Sequence, residues 1–137
     1  MWDDVLREFK TSHRSILGTI DQLRLTLRNY PQAKPFLREL HQQVLTHLGR
    51  QDGTLFASLK DFYLSKRETE KLIEFLEFDL VEIKVKFMVF YDEHSGASED
   101  SNARSFSRDF GDFSALIRER IKMEEDYLIP LLEKLSQ

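Results

Sequence analysis

Large apolar residues recur along this chain in alternating steps of three and four, the spacing that gathers them on one face of an α-helix. Four such stripes follow one another. Leu6, Phe9, His13, Ile16, Ile20, Leu23 and Leu27 mark a helix expected from Trp2 to Asn29, stopped by Tyr30-Pro31. A second, expected from Lys34 to Leu64, carries Leu37, Leu40, Val44, His47, Gln51, Leu55, Leu59 and Phe62. Ser65-Lys66-Arg67-Glu68 has the form of a capping box. It opens a third helix reaching Asp92 through Leu72, Leu76, Asp79, Ile83, Phe87 and Phe90. The stretch from His94 to Asn102, with its acidic Glu99-Asp100, has the composition of a solvated loop. The fourth stripe holds Phe106, Phe110, Phe113, Ile117, Ile121, Glu124, Leu128, Leu131 and Leu135. Long helices joined by short connections predict an all-α, up-down-up-down four-helix bundle, a single domain over residues 1–137.

One segment argues against this. Val81-Glu82-Ile83-Lys84-Val85-Lys86-Phe87 alternates apolar and charged residues, several of them β-branched, as a strand does. A lone strand would have no partner, so the segment is expected to be helical.

The chain has the material for a core without covalent staples: 137 residues, 41% of them hydrophobic, with eleven phenylalanines. It has no cysteine, which excludes disulfides, thiolate metal sites and thiol catalysis. A net charge of −4 argues against direct nucleic-acid binding, which needs a basic surface. No apolar run approaches a membrane span, and Met1-Trp2-Asp3-Asp4 is acidic where a signal peptide would be basic. A soluble, cytoplasmic protein is expected. No nucleophile–base arrangement stands out, and Gly18, Gly49 and Gly53 lack the strand–loop–helix context of a phosphate loop, so no enzymatic activity is expected.

The informative residues are the polar ones inside the stripes: His13, then His47 with Gln51, then Asp79, then Glu124. In this topology the start of the first helix, the end of the second, the start of the third and the end of the fourth lie together. His13, Gln51, Asp79 and Glu124 then sit roughly 15–18 Å in from that end, at the helix rise per residue. His47, Glu82 and Arg120 lie about one turn deeper. Burying so many polar groups is costly unless they pair or bind something. Imidazole and carboxylate in a bundle core suit iron, manganese or zinc. A closed network, with Arg120 or a protonated histidine facing Glu124 and Asp79, needs no ion.

Two segments echo each other. Met123-Glu124-Glu125-Asp126-Tyr127-Leu128-Ile129-Pro130-Leu131-Leu132 sets an acidic pair before a Leu-x-Pro-Leu-Leu run, and His47-Leu48-Gly49-Arg50-Gln51-Asp52-Gly53-Thr54-Leu55-Phe56 is a weaker copy. With His13, these segments resemble the hemerythrin-like (HHE cation-binding) family, whose bundle holds a di-iron centre. The resemblance implies that His13 is the first-helix histidine, His47 the histidine of the second-helix H-x-x-x-E motif, and Glu124 the fourth-helix glutamate. This chain departs from the pattern elsewhere. Gln51 stands for a glutamate, Arg120 for a histidine, and the third helix offers Asp79 or Glu82 and no histidine. A guanidinium stays protonated and repels a cation. At most one iron or zinc ion is therefore expected, on His13, His47 and Glu124, with Gln51, Asp79, Glu82 and Arg120 as a substitute polar core.

A second resemblance points to a protein partner. Val44 to Phe56, Phe90-Tyr91-Asp92 and Arg120 to Asp126 are similar to segments of the Rsd/AlgQ regulators, which bind a sigma factor without catalysis. The sequence thus implies a non-enzymatic sensory or regulatory bundle with an eroded metal site. Its alternatives are a metal-free sigma-factor or protein-binding regulator, and an iron or zinc protein with an oxygen- or nitric-oxide-related role. Oligomeric state is open. Glu125 is expected in solvent, His41 and His94 on the surface, and Phe56 and Phe78 off the stripes as a partner patch. Gly49 and Gly53, each about 1 kcal/mol worse than alanine within a helix, are expected to permit close helix packing.

Overall fold

The computed structural model describes residues 2–95 and 103–137, and all the elements among them are helical. They are α1 (Trp2–Leu25), α2 (Tyr30–Gly49), α3 (Gly53–Phe62), α4 (Arg67–Ser95), α5 (Ala103–Met123), a π-helical turn (Glu124–Leu128) and α6 (Ile129–Leu135). α2 with α3 forms the second leg of a four-legged bundle, and α5, the π turn and α6 form the fourth. α1 packs on α2, α5 and α6; α4 packs on α2, α3 and α5. The expected all-α bundle is present. Glu99 and Asp100 lie outside the described residues.

Four local signals redraw the helix boundaries. α1 stops at Leu25, and Asn29 caps α2 instead of ending α1, its side chain accepting from the Gln32 N–H at 3.3 Å. Pro31 in the first helical turn needs no N–H there, so α2 begins before Lys34. The expected continuous second helix is broken at Arg50-Gln51-Asp52, where the Asp52 carboxylate accepts from the Leu55 N–H at 3.0 Å and starts α3. The break shifts the register: Tyr63 is buried where Phe62 was expected, and Phe62 is exposed. Ser65 is not the cap of α4. It adopts a φ of 79°, and its N–H donates to Glu70, not Glu68, at 2.7 Å. α4 also runs past Asp92 to Ser95, taking His94 into the helix.

Nothing lies within 4 Å of a Cβ built on Gly49 or Gly53. Close helix packing is therefore not their role. Both flank the break, where a helix ends and another begins.

The strand-like segment is helical and apolar on two faces. Ile83 and Phe87 point into the core, while Val81 and Val85 point outward. The core joins Phe9, Ile16, Ile20, Leu37, Leu40, Phe56, Leu76, Phe87, Phe106, Phe110 and Leu128. Each such buried side chain contributes roughly 1.5–3 kcal/mol of transfer free energy. Phe56 belongs to this core and to no surface patch, whereas Phe78 is exposed as expected.

Candidate metal centre

Glu124 is the hub of the polar layer. It opens the π turn, a widening of the helix that coincides with Pro130. Proline has no N–H to continue the α ladder and its ring crowds the carbonyl four residues back. The Ile129 N–H bonds instead to the Glu124 carbonyl. Glu124 and Glu125 thereby both reach one imidazole: His13 Nε2 lies 2.7 Å from Glu124 Oε1, and His13 Nδ1 lies 2.9 Å from Glu125 Oε2. Glu125 is exposed but not idle in solvent, which the alternation of helix faces had not suggested.

His47, in the last turn of α2, brings its Nε2 to the same Glu124 oxygen at 2.7 Å. The other Glu124 oxygen accepts from Gln51 Nε2 at 2.7 Å and from Arg120 Nε at 2.8 Å. Arg120, one turn before Glu124 on α5, is engaged through all three of its side-chain nitrogens. Its Nη1 donates to the Leu76 backbone carbonyl at 2.8 Å and to Asp79 at 3.1 Å, and its Nη2 donates to the Gln51 side-chain oxygen Oε1 at 2.6 Å. His13, His47, Gln51, Arg120 and Glu124 are all buried, and Asp79 closes the network at its partly exposed rim.

Glu82 is not part of this layer. It is exposed, because Ile83 takes the inward position and neighbours on a helix diverge by about 100°.

The electrostatics follow from the contacts. Burial pushes the Glu124 carboxyl up, but hydrogen bonds from His13 and His47 and the nearby His47 and Arg120 charges outweigh it, holding the carboxyl far below the usual range. Burial lowers His13, and its bonds and attraction to Glu124 and Glu125 reverse this to a net rise.

Among the described residues, one nitrogen of His13, one of His47 and one Glu124 oxygen lie within 4.8 Å of one another, all buried, which suits a single cation. The hemerythrin HHE cation binding domain model matches residues 4–132, from the first turn of α1 into α6. The chain belongs to this hemerythrin family. No curated protein and no solved structure matches it significantly.

The family's cation-binding character agrees with one half of the layer. His13 Nδ1 faces a carboxylate, the arrangement that orients a ligating imidazole. His47 Nδ1 is buried without a partner, so that imidazole lacks the same support. On the other face of Glu124, guanidinium and amide fill the space where further ligands would be needed.

The remaining histidines are also placed. His94 is buried, not on the surface as expected: it packs against Phe90 and Phe106 and pairs with Asp109 at 2.9 Å. Glu93, His94 and Asp109 form a second group with ligand-like spacing, but the imidazole–carboxylate pair already satisfies it. His41 is half-buried and stacks on Tyr91 with centroids 3.6 Å apart.

Proposed function

We propose that this chain is a non-enzymatic sensory or regulatory hemerythrin-like domain whose bundle core holds at most one metal ion, iron or zinc, on His13, His47 and Glu124. The observation that carries the reading is the division of the Glu124 carboxylate. One oxygen faces two imidazole nitrogens at 2.7 Å, and the other is occupied by Gln51 and Arg120. An imidazole–carboxylate set fits a borderline divalent ion. Such an ion would supply a Lewis-acidic centre, redox-active if iron, open to a small exogenous ligand.

The residues themselves do the rest. Glu125 orients His13, the π turn aims both carboxylates, and Arg120 supplies a fixed positive charge where a second ion would sit. Imidazole protons directed at Glu124 must leave before either nitrogen can ligate, so uptake competes with the network.

A specific observation also supports the metal-free alternative of a protein-binding regulator. Each side-chain nitrogen and oxygen of Gln51, Arg120 and Glu124 has a protein partner, which leaves His47 Nδ1 as the layer's one buried atom without one, so the network needs no ion to satisfy these three residues. Elemental analysis of protein purified without chelator, followed by iron(II) and zinc titration, separates the two readings. At most one equivalent per chain, lost in Glu124→Gln and His13→Ala, is expected. Two equivalents of iron with the near-ultraviolet absorption of an oxo-bridged pair would overturn the proposal.

A further inference from the structure

α4 carries apolar residues on two opposite faces. Leu76, Leu80, Ile83, Phe87 and Phe90 enter the core. Phe75, Phe78, Val81, Val85, Met88 and Val89 lie on the far side, each between 51% and 64% exposed. Phe78, Val81, Val85 and Met88 follow one another in steps of three, four and three, the seam of a helix paired with another helix. None of the described elements packed on α4 covers this face.

The area is considerable. At 150–250 Å² for a large side chain, six residues about half exposed present about 600 Å². That is the upper end for the largest apolar patch of a typical monomer, about 300–600 Å². It also approaches the roughly 800 Å² per partner of a standard interface.

We propose that this face seats a second copy of the chain, with the two α4 helices antiparallel about a two-fold axis near Glu82. Size and charge both point to this arrangement. The stripe is bulky at its start (Phe75, Phe78) and slimmer at its end (Val85, Met88, Val89). Antiparallel pairing sets Phe75 against Val89 and Met88 of the copy, and Phe78 against its Val85. Lys71 bounds the stripe at one end and Asp92 at the other, and both are exposed. The same pairing brings each Lys71 to the copy's Asp92, whereas a parallel pair would stack like charge on like at both ends. Glu74, between Lys71 and Phe78, and Glu82 are the charges within the stripe; the pairing sets Glu74 beside Val89 of the copy, and the axis brings Glu82 close to its own copy. That repulsion keeps the association weak and sensitive to salt. The face lies opposite the core, so pairing leaves the metal centre undisturbed, and the inference stands independently of the proposed function.

The chain has no cysteine, which permits mapping by single introduced thiols. Sedimentation velocity over a concentration series should show a monomer–dimer equilibrium. Phe78→Glu should weaken it at least about tenfold with helicity unchanged, and Glu82→Gln should tighten it at low salt. Val81→Cys should cross-link to itself. Val89→Cys should not, yet should cross-link to Phe75→Cys chains. A monomer at every concentration, or thiols that each cross-link to their own kind as in a parallel pair, would overturn the proposal.

Discussion

Arg120 and Glu124 lie one helical turn apart on the same leg and are joined by a 2.8 Å bond between Nε and Oε2, both side chains buried. The pair is the link between the third leg, through Asp79 and the Leu76 carbonyl, and the histidines of the first two. Removing either partner leaves the other charged and buried.

Arg120→Ala should therefore destabilise the protein by roughly 3–5 kcal/mol, the range for a buried pair broken on one side. Chemical denaturation is the measurement. A loss of about 0.5 kcal/mol or less, typical of surface substitutions, would show that the guanidinium does not hold the layer together. Arg120→His exchanges a fixed cation for a potential ligand and is the change expected to increase metal uptake.

Metal affinity should rise with pH. Burial opposes the His13 charge, but Glu124 and Glu125 raise its proton affinity overall, so protons compete with an ion for that nitrogen. Each proton released on binding contributes about tenfold per pH unit below the titration. Zinc titrations at pH 6 and pH 8 should differ accordingly, and equal affinities would exclude His13 as a ligand.

Stability of the metal-free protein should be greatest in mildly acidic solution. The Glu124 carboxyl lies far below its ordinary value of 4.5, so its contribution is full above that value and is lost as pH falls. His13 is raised above 6.5, so its contribution is full below that value and is lost as pH rises through the folded value. Unfolding free energy should thus peak between these limits and decline on both sides. Glu124→Gln should flatten the acid side, and an unchanged acid limb would refute the assignment.

Asp52→Ala should cost about 1 kcal/mol, the usual worth of a helix N-cap. The Asp52 bond to the Leu55 N–H fixes the break that turns Gln51 inward, so the variant should also weaken any metal uptake. Urea unfolding with an unchanged slope tests the first expectation. A variant as stable as the parent would show that the break is held by Arg50 and its ion pair with Glu8 instead.

The stripes of the first and fourth legs, and the polar residues interrupting them, could be read directly because a helix repeats every 3.6 residues and burial selects one face. His13, Glu124 and, before the break in the second leg, His47 were legible as buried polar residues for that reason. The breaks were harder. Asp52 caps only because the chain turns there, and Pro130 could be read as a following run but not as the cause of a π turn. Glu125 is exposed, as the 100° divergence of helix neighbours implies, but the widened helix also lets it reach His13, which periodicity does not show.

What the sequence alone determined is the four helical legs and the residue types along their faces, which periodicity encodes. Which polar atoms meet was decided by tertiary structure, because a hydrogen bond depends on distances of a few tenths of an ångström between separate legs. Spacing brought Glu82 and Arg120 to one depth, yet only Arg120 faces inward, where it reaches Gln51, Asp79 and Glu124 at once. The second apolar face of α4 followed the same rule. Val81, Ile83, Val85 and Phe87 alternate as in a strand; the helical stripe already set Ile83 and Phe87 inward, and the packing decided that Val81 and Val85 stay exposed.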